Sequence, residues 1–536
     1  MKKLKLVCVA IAMAGAAPTF AGGLLTNTNQ HVAFNRMMSR EASIGIDGVY
    51  YNPAGVVFMG EGHHLAINWQ LAYQTRTINN DYKLFTNNVN NPITPRDFKG
   101  KAFAPVIPSF QYAYNKGKWS FQANFALTGG GGKCTFDDGL GSFEKIVSET
   151  AIAACGLAGV VDQTLGNTLG QQGMEMFTSD QAFGKTGKYS FNSYMHGRQY
   201  YYGLSAGAAY KFCDNFSAFL GVRGVYALTN YYGYVENINV GNMPLYKVLD
   251  PTKENAANIE LSCDQTGVGF TPIIGVDYKT GRWNFSAKYE FKTRIRLKNK
   301  SVNQTPSIGN LPANLANQMT GILTDKFHNA GLPLEQAKQQ AENTTNTVLS
   351  DPKVGATMMG LKTQFDQKLN KAIGEYEDGK KIAGDIPGYL ALGIGYSPVD
   401  AVRVNVGFHW FDDKNATSYN NRNKELKRGT LEYNAGVEVD VNKKITLSTG
   451  WQNTNYGLSD EYMDDKSFVV GSNSAAIGGV YHINKKMDLN VAYFHTFYQH
   501  KKTSETVQLA ADKSVVYNSD YTRNNNVFAV GLDINF

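Results

Sequence analysis

Cysteine is scarce: 536 residues hold five, and one of these, Cys8, lies among the first ten. The other four, Cys134, Cys155, Cys213 and Cys263, are too few to staple a secreted chain of this size. A Cys134–Cys155 bridge remains compatible with an oxidising compartment. Proline is sparse at 15 residues. No apolar run of about 18 or more residues follows the N-terminal segment, which leaves no transmembrane helix to expect. Charge of one sign is not in excess. The formal +7 falls to near +4 once Lys2, Lys3 and Lys5 are set aside, so no nucleic-acid-binding face is indicated. Metal-ligand spacing is absent too: His63 and His64 are adjacent on a strand pattern and point to opposite faces. "GGGGKC" (129–134) is not a phosphate loop, because it lacks the spaced first glycine and a Ser or Thr after Lys133. No nucleophile elbow or triad can be placed on one face, so the chain does not read as an enzyme, and no cofactor is implied.

What is present begins with a secretory signal. Lys2, Lys3 and Lys5 precede an apolar stretch from Leu6 to Ala17, and Thr19-Phe20-Ala21 forms a small-x-small cleavage site. The mature chain then starts near Gly22. It carries a heavy aromatic and glycine load, with 31 Tyr, 29 Phe and 54 Gly in the full sequence.

Alternation explains that load. In "LAINWQLAYQ", Leu65, Ile67, Trp69, Leu71 and Tyr73 share one face, and Ala66, Asn68, Gln70, Ala72 and Gln74 the other. The pattern returns in "VRVNVGFHW" (402–410), "LEYNAGVEVDV" (431–441) and "WNFSAKYEF" (283–291). Soluble sandwiches alternate as well, but their strands run to about five or six residues. Here several runs reach ten or more and end in aromatics, as strands do when they cross a bilayer at a tilt between aromatic girdles. Fourteen such runs can be read: 64–76, 105–115, 118–128, 199–212, 216–234, 264–279, 283–298, 387–397, 400–411, 426–441, 444–456, 473–483, 487–500 and 522–536. Short turns such as "NKGK" (115–118) and "KTGR" (279–282) join alternate pairs and belong on the periplasmic side. The even count returns both ends of the chain there. The last strand ends on Phe536, a terminal aromatic of the kind that closes outer-membrane barrels. The fold class expected is an all-β transmembrane barrel of about 14 antiparallel strands.

Two long connections, near 129–198 and 299–386, carry helical periodicity instead. Phe143, Val147, Ala154, Leu157 and Val161 recur at that spacing, as do Leu311, Leu315, Met319, Leu323 and Phe327, and then Met358, Leu361, Phe365, Leu369 and Ile373. Helices in outer loops must bury such stripes. They either cap one another or form an apolar landing surface for a greasy ligand.

Between the signal and the first strand lies "EASIGIDGVYYNPAG", with Asn52-Pro53-Ala54 at its end. The stretch from Gly22 to Gln70, with its Gly-rich start, its small residues and this motif, resembles the N-terminal hatch of the FadL/TodX family of outer-membrane transporters for long-chain fatty acids and other hydrophobic compounds. The resemblance extends along the whole chain, including "DIPGYLALGIGYSPVDAVRVNVGFHWF" (385–411), which is similar to that family's eighth and ninth strands. It implies a hatch over 22–62 inside a barrel over 63–536. Ligand would be caught outside, held against the hatch, and released sideways through a gap made by a kink in the third strand beside Asn52, Pro53 and Ala54. The partners it implies are a fatty-acid-like ligand, outer-membrane lipid and the barrel assembly machinery, with the protein a monomer in the outer membrane of a Gram-negative bacterium.

The residues offer candidates for each part. Pro53 rigidifies the turn. Glycines following the third strand permit a bulge, so an opening between Asn124 and Gly130, including Gly129, is expected, the alternative being an ordinary flexible loop. Phe34 and Met37 of the hatch either touch a ligand tail or pack within the plug. By parity Arg223, Lys288 and Arg403 face inward, where they either bind a carboxylate headgroup or neutralise Glu290, Glu432, Glu438 and Asp440. A surface adhesin or structural barrel with protein-binding helical loops is the alternative reading, and a general porin is disfavoured by the plug.

Overall fold

The structure, a computed structural model, describes residues 24–306, 308–510 and 513–536. The signal peptide expected over residues 1–21 and the terminus at Gly22 lie outside these residues. Fourteen antiparallel staves close into one barrel. They are β1 Gly62–Tyr82, β2 Arg96–Lys116, β3 Trp119–Phe136, β4 Tyr189–Lys211, β5 Phe216–Val240, β6 Ile259–Thr280, β7 Trp283–Glu290, β8 Tyr389–Val399, β9 Val402–Phe411, β10 Thr430–Asn442, β11 Ile445–Asn455, β12 Ser472–Asn484, β13 Met487–Tyr498 and β14 Lys513–Asn535. Closure is made by β1 and β14, in continuous register from His64↔Asn535 to Tyr82↔Tyr517.

Two staves are interrupted. β7 stops at Glu290 and resumes as Arg296–Gln304, and β13 stops at Tyr498 and resumes as Lys501–Ala510. The runs read at 283–298 and 487–500 therefore each contain a break that alternation alone did not mark.

The alternation sorts the side chains as a bilayer requires. Ile67, Trp69 and Tyr73 lie exposed on the outside, while Asn68, Gln70 and Gln74 are buried in the lumen. Around the barrel the outer band carries Phe110, Leu220, Phe270, Ile477 and Phe528. It is bordered at the short-turn end by Trp119, Trp283 and Tyr396 and at the long-loop end by Tyr73, Phe103 and Tyr226. An apolar band between aromatic girdles is the outer surface of a transmembrane barrel.

The lumen contains α1 (Val32–Met37) and α2 (Gly48–Tyr51); the long loops carry α3 (Gly141–Leu169), α4 (Leu311–Asn329), α5 (Leu334–Leu349) and α6 (Pro352–Ile373). By length and composition α3 could cross a membrane, contrary to the expectation from apolar runs; Glu144, Lys145, Glu149 and Asp162 interrupt its apolar sequence. It packs in the cap instead, with Val147, Leu157, Val161 and Leu165 buried in one cluster with Leu311, Leu315 and Met319 of α4. α5 went unread because its buried face is Ala337, Ala341, Thr344, Thr345 and Val348, too small and polar to register as a stripe. The four cysteines are free thiols. Cys134 sits in the luminal cluster and Cys155 in the cap cluster, so the bridge considered above does not form.

Candidate functional site

The segment before β1 fills the lumen, and its chemistry explains why it stays there. Its polar groups are buried and matched to the wall. Arg36 donates to Asn490 Oδ1 at 3.2 Å and Ser448 Oγ at 3.0 Å and pairs with Glu438. Arg40 grips Asp47 at 2.7 and 3.0 Å and reaches Glu438 at 3.2 Å. Burial would raise the Asp47 carboxyl, but the Arg40 guanidinium holds it below its ordinary value. Glu41 meets His409 of β9 at 2.8 Å, and the other ring nitrogen of His409 meets Glu432 of β10 at 2.9 Å. At the end of α1 the backbone approaches the wall so closely that a methyl group on Gly436 or Gly450 would run into the Met37 carbonyl. Only glycine permits that contact.

The Asn52-Pro53-Ala54 turn touches a different stave with each residue. Asn52 Nδ2 donates to Asp277 of β6 at 2.6 Å, and its Oδ1 accepts the Gly55 amide at 3.2 Å. The Pro53 carbonyl accepts from Gln122 Nε2 of β3 at 2.7 Å, and the Ala54 carbonyl from Ser217 Oγ of β5 at 2.7 Å.

β3 is where the pairing of the wall breaks. It pairs with β2 from Lys116↔Trp119 up to Phe110↔Phe125 and then not again until Lys101↔Thr135 and Gly100↔Phe136. Residues 102–109 and 126–134 therefore face each other without a ladder. β2 carries Pro105 and Pro108 in that stretch, each lacking an amide donor. β3 carries bulges after Leu127 and Gly130 relative to β4. Gly130 has φ +75°, a conformation in which a side chain would be strained.

The plug occupies the free edge of β3. The Asn27 amide donates to the Thr128 carbonyl at 3.0 Å, the Gly130 amide to the Leu25 carbonyl at 2.9 Å, and Asn27 Nδ2 to the Leu127 carbonyl at 2.9 Å. A Cβ on Gly129 would sit 2.8 Å from the Leu25 carbonyl. At the lower end of the opening Gln30 joins both staves. Its carbonyl accepts from Ser109 at 2.7 Å and Gln111 at 2.9 Å, and its Oε1 accepts from Asn124 at 2.9 Å. At the upper end the Leu24 amide donates to Asp413 Oδ1 at 3.1 Å; burial pushes that carboxyl up to about 6. Asn124 thus lies on the paired side of the break, whereas Gly129 and Gly130 lie within it. Leu25, Asn27 and Gln30, which contact it, carried no motif in the sequence.

The three inward cations are already engaged. Arg223 makes a bidentate pair with Glu290 at 2.6 and 3.0 Å. Lys288 reaches the same Glu290 at 2.9 Å and the Tyr50 carbonyl at 2.6 Å. Arg403 is bidentate to Asp440 at 2.7 and 2.6 Å and touches Glu438 at 3.1 Å. Neutralisation of luminal acids accounts for their contacts. A different pair stands higher in the lumen: Arg76 of β1 and Arg523 of β14 are direct cross-strand neighbours. Strand parity turns both inward, and Arg523 lies over the Phe468 ring at 4.9 Å.

Apolar side chains run from the loops to the break between β2 and β3. Between α3, α4 and α6 is an apolar cavity, partly open to solvent and lined by Phe177, Phe183, Val248, Leu315 and Phe365. A second, smaller one shares Ile146, Val147 and Ile259 with it and reaches Met195. Met195 belongs to the luminal cluster that runs through Phe468, Phe494, Tyr200, Leu127 and Ile107 to Phe34 and Tyr51 of the plug. Phe34 is buried there, stacked on Tyr51 at 5.3 Å. Met37 is buried against the opposite wall, with Asn405 of β9 at 4.0 Å from its sulfur.

No protein-family model and no curated protein matches the sequence. Among solved structures the chain is similar to a Pseudomonas aeruginosa FadL homologue, with TM-score 0.57 and 13% identity over 96% of this chain and 100% of that one. The Pseudomonas putida toluene transporter TodX also aligns, at TM-score 0.47 and 13% identity over 97% and 100% of the two chains. So does the Ralstonia pickettii toluene transporter TbuX, at 0.45 and 14% over 92% and 94%. The likeness to the FadL homologue shows that this chain has a FadL-type barrel fold.

Proposed function

We propose that this protein is an outer-membrane channel that passes long-chain fatty acids or similar hydrophobic molecules from the loop cavity to a lateral exit between β2 and β3. The observation that carries the reading is the unpaired stretch of wall at 102–109 and 126–134 with residues 25–27 bonded into its edge. A straight aqueous pore would expose each methylene at about 0.8 kcal/mol, whereas a side exit delivers the chain directly into lipid. Plug contacts at Leu25, Asn27 and Gln30 form the gate, and the Asn52-Pro53-Ala54 turn fixes the plug beneath it. The Arg76–Arg523 pair puts two guanidiniums, which suit bidentate carboxylate binding, on the luminal face of β1 and β14.

The reading is tested by uptake of a labelled long-chain fatty acid in cells lacking their own transporter. This protein restores uptake, and an Asn52→Ala/Pro53→Ala form at equal surface level does not. Equal uptake by the two forms contradicts the gate. A correctly assembled barrel with no uptake in either form points to the adhesin reading.

A further inference from the structure

The outer wall of β4 and β5 carries aromatic rings well above the level at which a bilayer uses them. Tyr194 is directly opposite Tyr234, and His196 is opposite Tyr232. Their chain neighbours Met195, 3% exposed, and Val235, 5% exposed, belong to apolar clusters on the inner side. Alternation therefore turns the four rings outward, and each is partly exposed there. The rings touch one another. Tyr194 stacks on Tyr234 at 5.7 Å between centroids, Tyr232 lies 6.1 Å from Tyr194 and 6.2 Å from Tyr234, and His196 is 5.6 Å from Tyr232.

Their height separates them from the girdle. Tyr226, the girdle residue of β5, is six residues below Tyr232 on the same face. Six residues span roughly 20 Å along a strand, or about 15 Å of height on a stave tilted by about 40°, whereas the polar layer of one leaflet is only about 5–8 Å deep. The rings thus stand beyond the lipid headgroups. On β1 and β2 the outward positions above Tyr73 and Phe103 are polar, with Thr77 opposite Lys99 and Asn79 opposite Asp97. Cross-strand pairing on an exposed face is satisfied there without aromatics, so it does not by itself account for four rings in contact.

Polar groups border the rings. His196 Nδ1 meets the Tyr194 hydroxyl at 3.3 Å and its Nε2 meets Asn230 Oδ1 at 3.0 Å, while Asn230 Nδ2 donates to Asp264 Oδ1 at 2.8 Å. Glu236 is opposite Asn192, and Glu260 is opposite Tyr234. Flat aromatic faces bordered by carboxylates and amides match a sugar. Its C–H face lies on the negative face of an aromatic ring, and its hydroxyls donate to the carboxylates. An exposed patch of this kind marks a binding surface. At this height beside an outer leaflet, the molecule at hand is the saccharide of a glycolipid, continuous with the lipid that covers Leu204, Leu220 and Phe270 on the band below.

We propose that Tyr194, His196, Tyr232 and Tyr234 form a platform for the saccharide of an outer-leaflet glycolipid, with sugar rings stacked on the tyrosines and hydroxyls bonded to Glu236 and Glu260. The inference rests on the membrane placement proposed above, and it is independent of which cargo is carried.

Saturation-transfer difference NMR of the full chain in detergent, with the free core oligosaccharide of rough lipopolysaccharide as probe, tests the platform. Saturation should pass from the protein to the ring protons of the sugar. Intact rough lipopolysaccharide should compete, and lipid A, whose own sugars lie at headgroup level, should not. Tyr194→Ala/Tyr232→Ala/Tyr234→Ala should bind about tenfold or more weakly, since each stacked ring contributes roughly two- to tenfold. Tyr232→Phe/Tyr234→Phe, which keeps the rings, should retain binding, and Tyr481→Ala at the short-turn end should bind as the wild type does. Unchanged heat-modifiable mobility establishes that each variant is folded. Equal transfer in the triple-alanine form, competition by lipid A, or failure of intact lipopolysaccharide to compete overturns the proposal. Absence of transfer in the wild type overturns it as well and leaves the face to a protein partner. Because no cargo enters the measurement, failure here leaves the transport reading standing, and failed uptake leaves this one standing.

Discussion

The Leu25 carbonyl accepts the Gly130 amide of β3 at 2.9 Å, so a segment from the start of the chain serves as the missing strand at the one stretch where β3 has left β2. On the function proposed above, loosening the plug and freeing this edge of β3 are one event.

Asn52 holds the plug from below through Asp277. In Asn52→Ala the buried Asp277 carboxylate keeps Asn284 as partner at 2.8 Å but loses its shortest bond. The expected cost is about 1–3 kcal/mol, confined to the plug. Deuterium exchange over residues 43–58 should quicken by roughly tenfold or more while the staves stay protected. Unchanged exchange there would show that the turn does not depend on this bond.

His409 stands between two buried carboxylates, Glu41 of the plug and Glu432 of the wall. His409→Ala removes the group that reconciles them and should cost about 3–5 kcal/mol, as for other broken buried pairs. The plug should become sensitive to protease in an otherwise folded barrel, and planar-bilayer conductance should rise. His409→Ala combined with Glu41→Gln should recover part of the loss, because one of the opposed charges is gone.

The barrel was legible because alternation is enforced on every stave by lipid on one side and water or plug on the other: Ile67 and Trp69 against Asn68 and Gln70. The helices were legible where their stripes use large residues, as at Leu315 and Met319, and not where they use Ala341 and Thr345. The site was harder to read. Glycines 129 and 130 announced a distortion, and Pro105 and Pro108 on the opposite strand were the second half of that signal. Gln30 and Asn27 could not be found, since a buried amide that bridges two strands looks, in sequence, like any loop amide. Arg223, Lys288 and Arg403 were correctly turned inward, but parity does not reveal that Glu290, Glu438 and Asp440 already hold them.

Asp413 makes the upper end of the gate sensitive to pH. Its carboxyl is raised from an ordinary 3.8 to about 6 by burial. The folded protein therefore binds the proton more tightly than the unfolded chain and gains stability as pH falls through 6, the gain being complete below about 3.8. The Leu24 amide favours the charged carboxyl, so protonation loosens this one bond, and deuterium exchange at residues 24–27, corrected for intrinsic rate, should be faster at pH 5 than at pH 8. Asp413→Asn should abolish that difference. A difference that persists in Asp413→Asn would assign it to another group.

Arg76 and Arg523 should distinguish acids from neutral cargo. Arg76→Gln/Arg523→Gln should lower uptake of a long-chain fatty acid by about tenfold, the loss of a hydrogen bond to a charged group, and leave uptake of its methyl ester unchanged. An equal loss for both compounds would mean that the pair supports the lumen structurally and does not bind the headgroup.

The most direct test of lateral exit is to trap cargo on the way. A long-chain fatty acid bearing a diazirine at its tail is flashed with the wild-type barrel in a bilayer, and the adducts are mapped by mass spectrometry. The account predicts labelling of Phe103, Val106, Ile107, Leu127 and Tyr200, on both sides of the opening, together with Leu25. Adducts that instead lead through the plug to Ile44, Asn284 and Arg403 at the short-turn end would show a passage along the barrel axis and contradict it.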